Sequence, residues 1–315
     1  MEQVKLQTGS GVRLVFAVHA YRAGRLLLGP DGPSHVPYII ILGGTDVNEY
    51  QEDPVKAAVM ALAVNGARKV VAFTVTMAEL ALRHWSTLTP EKVVTITQAV
   101  VTIPSTEYSL RRKFGLGQIR SSPPSPHPES VCDPRPLWFP LETNRILLLP
   151  CGIRAVKDPL FLLDAFAEWR KTETRIQLFV AGPALDPTLM AEFSARISAI
   201  EGVWYLGELN LADLHACIVQ ADVVLNSSRS EGLSNALLEA MQLGTVVLAR
   251  NIPGNASLIT QGETGFLYSS PQDCVRLAKQ IVSLTPPHHT LNNTYSQNFV
   301  YSSFSPQQNL KSQRS

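Results

Sequence analysis

"ADVVLNSSRSEGLSNALLEAMQLGTVVLAR", Ala221–Arg250, decides the fold. It opens on a short Val/Leu run, passes a Ser- and Gly-containing loop, continues as an apolar helical segment and closes on a second β-branched run. Strand, helix and strand in about thirty residues is a βαβ unit, and such a crossover joins parallel strands. The same alternation continues in both directions. Upstream stand the strands "RILLLPCG", "IQLFVAG" and "GVWYLGE", separated by the helices "DPLFLLDAFAEWRK", "DPTLMAEFSARISA" and "LADLHACIVQ". Asp158-Pro159 and Asp186-Pro187 each read as an N-cap with proline at the first helical position. Downstream follow the short turn or helix "GNASLIT", the strand "GFLY" and the helix "DCVRLAKQIVSL". The pattern predicts a complete doubly wound α/β domain over residues 144–284.

The first part is also α/β but thinner. Strands are expected at "VRLVFAVH", "PYIIILGG", "KVVAFTV" and "KVVTITQ", with helices near Asp53–Asn65 and Met77–Trp85. Residues 1–114 read as a partial N-terminal domain. Residues 115–143, proline-rich and without apolar period, read as a linker or insert. Residues 285–315 read as a flexible polar tail.

The chain of 315 residues is 45% hydrophobic and 17% charged with a formal net charge of +1, so it can bury a large core and lacks the basic excess of a nucleic-acid binder. The cluster Arg111-Arg112-Lys113 reads as a solvated loop. Four scattered cysteines, Cys132, Cys151, Cys217 and Cys274, argue against zinc ligation or a disulfide framework and for a reducing compartment. No run is long enough for a membrane span, and the N-terminus is a poor signal peptide. Sequons at Asn226 and Asn255 fall in the expected ligand loops, where a glycan would obstruct binding; a third is at Asn292. The expected location is the cytoplasm.

Ligands of doubly wound sheets bind beyond the carboxyl ends of the strands, near helix N-termini. The helix after Ser234, its expected N-cap, offers free amides to an anion such as phosphate. Gly232 allows close backbone approach. Glu231 precedes this helix end and Glu239 lies about 7.5 Å along the axis beyond it. Two carboxylates bracketing an anion site suit a ligand with hydroxyls on both sides of a phosphate, as in a nucleotide-sugar. Glu239 sits among Leu237, Leu238, Ala240 and Met241 and needs a partner if buried.

"EGLSNALLEAMQLGTVVLA" resembles the E-x7-E segment of retaining glycosyltransferases of family 4, which have the GT-B fold of two Rossmann-like domains. "NIPGNASLITQGETGFLY" resembles that family's glycine-rich turn and following strand, and "CGIRAVKDPLFLLDAF" its basic loop at the start of the second domain. The resemblance is strong over 144–284 and weaker but in register over 12–103. It implies an α/β, GT-B-like chain whose N-terminal domain lacks the family's opening strand and loop, in the manner of a shortened form. It also implies a donor site made of Gly152, Arg154, Lys157, Glu231, Gly232, Leu233, Ser234 and Glu239. Lys157 and Arg154 would grip the donor diphosphate, Glu231 would lie beside the transferred sugar, and Glu239 would bind the ribose. Arg154 stands three residues before Lys157, where the family spacing is five. Gly43-Gly44-Thr45-Asp46 aligns with a family loop reading H-G-T-D, with Gly43 in place of His, and either lines the acceptor-side cleft or forms a turn in which Asp46 bonds its own backbone.

The leading expectation is a nucleotide-sugar-dependent glycosyltransferase acting with retention on an unidentified acceptor, with no cofactor and no metal. A catalytically weak or inactive nucleotide-sugar-binding regulator is the alternative. A nucleotide-sugar epimerase would need acid/base residues, and His19, the one candidate, reads more readily as a packed strand residue.

Overall fold

The computed structural model describes residues 11–30, 32–116 and 144–284. The proline-rich segment from residue 117 on, the polar tail, Cys132 and the Asn292 sequon lie outside these. The chain divides into two compact units. Among the described residues, the first gathers those up to Ala99 with Ser230–Ser234 and Ile252–Leu258; the second holds those of Val100–Arg229, Asn235–Asn251 and Ile259–Leu284.

The second unit is built on six strands: β7 (Arg145–Pro150), β8 (Ile176–Ala181), β9 (Val203–Gly207), β10 (Val223–Asn226), β11 (Val247–Arg250) and β12 (Phe266–Tyr268). Every pairing is parallel and the order is β12-β11-β10-β7-β8-β9. Counted from β7, that is 6-5-4-1-2-3, the doubly wound order, with its switch point between β7 and β10. β8 is buried at every position and β7 at all but Pro150, as expected of a parallel sheet covered on both faces. The core joins Leu147, Leu149, Leu178, Val180 and Leu248 to Phe166 and Trp169 of α5 (Leu163–Thr172), Phe193 of α6 (Pro187–Ser198) and Leu277 and Ile281 of α10 (Pro271–Leu284). In α10 the buried positions 274, 277, 278, 281 and 282 form one helical stripe. α7 (Leu211–Gln220) and α8 (Asn235–Gln242) complete the crossovers.

The first unit has a four-stranded parallel sheet ordered β1-β4-β5-β6, from β1 (Val15–Val18), β4 (Tyr38–Ile41), β5 (Lys69–Ala72) and β6 (Val93–Thr95). A two-residue antiparallel pair, β2 (Leu28–Gly29) with β3 (Gly32–Pro33), precedes β4. α2 (Pro54–Gly66) starts at Asp53, whose carboxylate accepts from the Val55 and Lys56 amides, and α3 (Val75–His84) starts at Thr74, whose hydroxyl accepts from Met77. Tyr38, Ile40, Val70, Met60, Val64 and Met77 close the core. Phe16 and Val18 of the edge strand β1 remain 63% and 65% exposed.

Two local expectations are corrected. Asp158 caps no helix: it has φ +49, and α5 begins only at Leu163. The basic cluster is not a solvated loop. It forms α4 (Leu110–Phe114), in which Arg111 is buried and donates to the Asn144 carbonyl at 3.0 Å. Phe114 packs 5.0 Å from both Phe179 and Trp204, which draws this turn onto the sheet. Asp186 caps α6 as its sequence predicts, accepting from Thr188 and Leu189.

Candidate functional site

At the switch point of the second unit, the loops leaving β7 and β10 are joined. β7 ends at Pro150, and the chain continues beside β8 through Cys151 N–H to Ala181 and Ile153 N–H to Pro183, both 2.8 Å. Gly152 lies between them. Arg154 then leads into a single 3-10 turn, Ala155–Lys157. From the β10 side, the Ser227 hydroxyl donates to the Lys157 carbonyl at 2.8 Å and the Arg229 amide to the Val156 carbonyl at 2.8 Å. Asp158, in its left-handed conformation, accepts from Arg229 Nε at 2.8 Å and from Arg250 Nη1 at 3.0 Å. The Arg250 guanidinium carbon lies over Phe161, 3.9 Å from its ring centre. Tyr268 fixes the end of β10 by donating to the Asn226 carbonyl at 2.8 Å. Asp158 is thus the partner of two arginines, one from the loop after β10 and one at the end of β11, and the half-exposed Arg154 side chain makes no ion pair or side-chain hydrogen bond among the described residues.

α8 begins at Asn235, directly after Ser234. Glu239 lies on its buried side with Leu237 and Ala240. Burial pushes the Glu239 carboxyl up from the usual carboxylate range, while His215 beside it pulls the other way. His215 Nε2 stands 3.7 Å from Glu239 Oε2. α7 thus supplies the neighbour of the opposite kind that the buried carboxylate calls for.

In the first unit, Glu231 is half-buried and Gly232 and Ser234 are buried. Asn48 Nδ2 donates to the Glu231 carbonyl at 3.2 Å and to the Gly44 carbonyl at 2.9 Å. The Gly44 and Gly232 backbones touch: a Cβ on Gly44 would lie 2.3 Å from the Gly232 nitrogen. The Gly43–Asp46 stretch and the Glu231–Gly232 stretch are therefore neighbours. Gly43 is the N-cap of α1 (Gly44–Asn48). Asp46 is fully buried and accepts from Gly43 N–H at 2.7 Å and Ala20 N–H at 2.9 Å, beside His19 Nδ1. Thr45 meets His19 Nε2 at 2.8 Å. His19 itself is buried.

Sequence reasoning missed Ser227, Arg229, Arg250 and His215. Ser227 and Arg229 had a readable signal, since they follow a strand at the switch point. Arg250 and His215 had none, because long-range packing brings them in. Among the described residues no group of three or more His, Cys, Asp or Glu side chains could hold a metal ion, and no helix is long and apolar enough to cross a membrane.

Residues 145–285 match the family described as Glycosyl transferases group 1. The chain is 36% identical over 266 residues to the Glycosyltransferase 1 domain-containing protein 1 of Xenopus tropicalis, covering 84% of this chain and 70% of the relative. It is 29% identical over 126 residues to the putative glycosyltransferase EpsD of Bacillus subtilis, covering 40% and 32%. Among solved structures, Anabaena HepE in complex with UDP and glucose aligns with a TM-score of 0.62 at 19% identity, over 89% of this chain and 72% of that one. Sucrose-phosphate synthase of Thermosynechococcus elongatus aligns with a TM-score of 0.64 at 18% identity, over 96% and 73%. The likeness shows the GT-B fold for this chain.

Proposed function

This chain belongs to the glycosyl transferases group 1, and from that premise we propose that it moves a sugar from a nucleoside-diphosphate-sugar to an acceptor with retention of configuration, in the manner of glycosyltransferase family 4. The observation that carries the reading is the joined pair of loops at the switch point, which presents Arg154 and Lys157 beside strand ends where doubly wound sheets bind ligands. Lys157 and Arg154 hold the diphosphate and offset the negative charge it gains on leaving. The amides at the start of α8 take a phosphate oxygen, Glu239 accepts from the ribose hydroxyls, and Glu231 lies by the transferred sugar, with Gly152, Gly232, Leu233 and Ser234 shaping the backbone around the donor. The acceptor hydroxyl attacks the anomeric carbon on the face of the departing diphosphate. The C–O bond to phosphate breaks, the new glycosidic bond forms, and the hydroxyl proton passes to a phosphate oxygen. No metal enters this reading. The buried, unbridged cysteines of the described residues, and the burial of Asn226 and Asn255 in the folded chain, support a cytoplasmic location.

A thermal-shift screen of nucleoside diphosphates tests the donor. UDP at a hundred times its Kd should stabilise the protein by ~2.7 kcal/mol. Lys157→Ala and Glu239→Gln should each weaken UDP about tenfold or more with the fold retained, because each removes a charge-assisted bond. Unchanged affinity by calorimetry in both variants would refute the assignment.

A second reading, nucleotide-sugar binding without turnover, draws on Asp46: its carboxylate is engaged by Gly43, Ala20 and His19. Release of free sugar or transfer product from bound donor favours the transferase. Tight donor binding with neither favours the regulator.

A further inference from the structure

His215 is a histidine the proposed chemistry does not use. It lies on α7 with its side chain 1% exposed, facing Glu239, whose side chain keeps 12% of its surface. The Ile103 amide donates to His215 Nδ1 at 3.1 Å. A nitrogen that accepts carries no proton, so the neutral ring bears its proton on Nε2. That nitrogen has no hydrogen-bond partner, and Glu239 Oε2 lies 3.7 Å from it. The separation exceeds a hydrogen bond, yet a small turn of the Glu239 side chain closes it. A buried N–H with no partner is costly, and a largely buried carboxylate gains from a donor; each group meets the other's need.

The segment that fixes this tautomer is itself tied to α7. Ser105 N–H donates to the Ala212 carbonyl at 2.9 Å, and at the other end of the helix Leu110 N–H donates to Gln220 at 2.9 Å. Val100–Leu110 is therefore a strap along α7, with Ile103 as the contact that points the ring.

We propose that His215 is a positioning residue for donor binding: held by the Ile103 amide, it directs Nε2–H at Glu239 and keeps that carboxylate aimed at the ribose hydroxyls. The inference rests on the reading that Glu239 binds donor ribose. The strap gives ribose recognition a dependence on residues distant in sequence from the donor loops.

The test is calorimetry on the full chain with two probes, UDP and 2′,3′-dideoxyuridine 5′-diphosphate, which lacks the hydroxyls Glu239 would meet. The wild type should prefer UDP. His215→Asn, too short to reach Glu239, and His215→Phe, which fills the space without a donor, should each lose about tenfold in UDP affinity and most of that preference. His215→Gln, which keeps an N–H within reach, should retain both. Dideoxy-UDP should bind all four alike. If the Asn and Phe variants keep the preference while Glu239→Gln loses it, the His215 role fails and the donor reading stands. If Glu239→Gln also keeps it, or the wild type does not bind UDP, the donor reading fails and takes this proposal with it. Equal loss in the Gln and Phe variants would mean that shape, not the N–H, matters, and would overturn the proposal. One measurement needs no variant: imidazole nitrogen NMR of the wild type should show Nε2 protonated and Nδ1 bare, with the Nε2 proton moving on addition of UDP and not of dideoxy-UDP. A protonated Nδ1 would overturn the proposal.

Discussion

Asp222→Ala should cost the protein about 3–5 kcal/mol of folding stability, the range for breaking a buried ion pair from one side. Asp222 is fully buried immediately before β10. Its carboxylate accepts from Arg145 Nη1 at 2.9 Å and from the Ile146 amide at 2.7 Å, so it ties β10 to β7 where the central pairing begins. A second guanidinium depends on it. Arg111 is buried, its Nε and Nη1 lack hydrogen-bond partners, and burial holds its pKa below the usual arginine value while Asp222 opposes the shift. Removing the carboxylate leaves two buried cations and a buried amide. Asp222→Asn, which keeps one acceptor, should lose less. Arg111→Met in the Asp222→Ala background should recover part of the loss, since it removes an uncompensated charge. Urea unfolding of the four proteins decides it. A loss below about 1 kcal/mol for Asp222→Ala, or a further loss on adding Arg111→Met, would contradict the account.

Gly182→Ala should be about as damaging, near 3 kcal/mol, and should impair donor binding as well. Gly182 follows β8 with φ +155, and a Cβ there would lie 2.2 Å from the Cys151 carbonyl oxygen and 2.8 Å from the Gly152 nitrogen. These are backbone atoms of the neighbouring strand's exit and cannot rotate aside. Strain of about 1–3 kcal/mol from the dihedral adds to about 1–3 kcal/mol from overpacking. The displaced atoms lead into Arg154 and Lys157, so whatever fraction folds should bind UDP more weakly than wild type. Gly207→Ala is the matched control: its φ is +72, but a Cβ there meets nothing within 4 Å. It should cost about 1 kcal/mol, the backbone contribution alone, and leave UDP affinity unchanged. Similar losses in the two variants would show that the close approach to Cys151 is not what matters.

The alternation of the second unit was legible because each strand is an apolar run and each helix carries its own local start or stripe. Asp186-Pro187 is such a start, and it caps α6. Asp158-Pro159 is the same dipeptide with a different outcome. Two arginines, 71 and 92 residues away along the chain, claim the Asp158 carboxylate, and no local rule can see them. Arg111 misled for the same reason: three adjacent basic residues look solvated until Phe114 anchors the turn between Phe179 and Trp204. At the candidate site, the need for a partner to Glu239 could be read from its apolar neighbours. That the partner is His215 depended on α7 packing against α8. Asp46 admitted two readings because its sequence neighbours fit both. The contact that distinguishes its surroundings, Ala20 N–H, is 26 residues upstream.

The buried cysteines turn the second unit into its own reporter. Cys217 lies on α7 with its thiol pushed up to about 12 by burial, and Cys274 lies on α10 with its thiol raised for the same reason. Only the thiolate attacks an alkylating reagent, so neither sulfur reacts while its helix stays docked. Each alkylation event, located by peptide mass, therefore timestamps one helix leaving the sheet. Equal rates at the two sulfurs would mean that the unit opens as a whole; a faster Cys217 would mean that α7, with the Val100–Leu110 strap across it, lets go first.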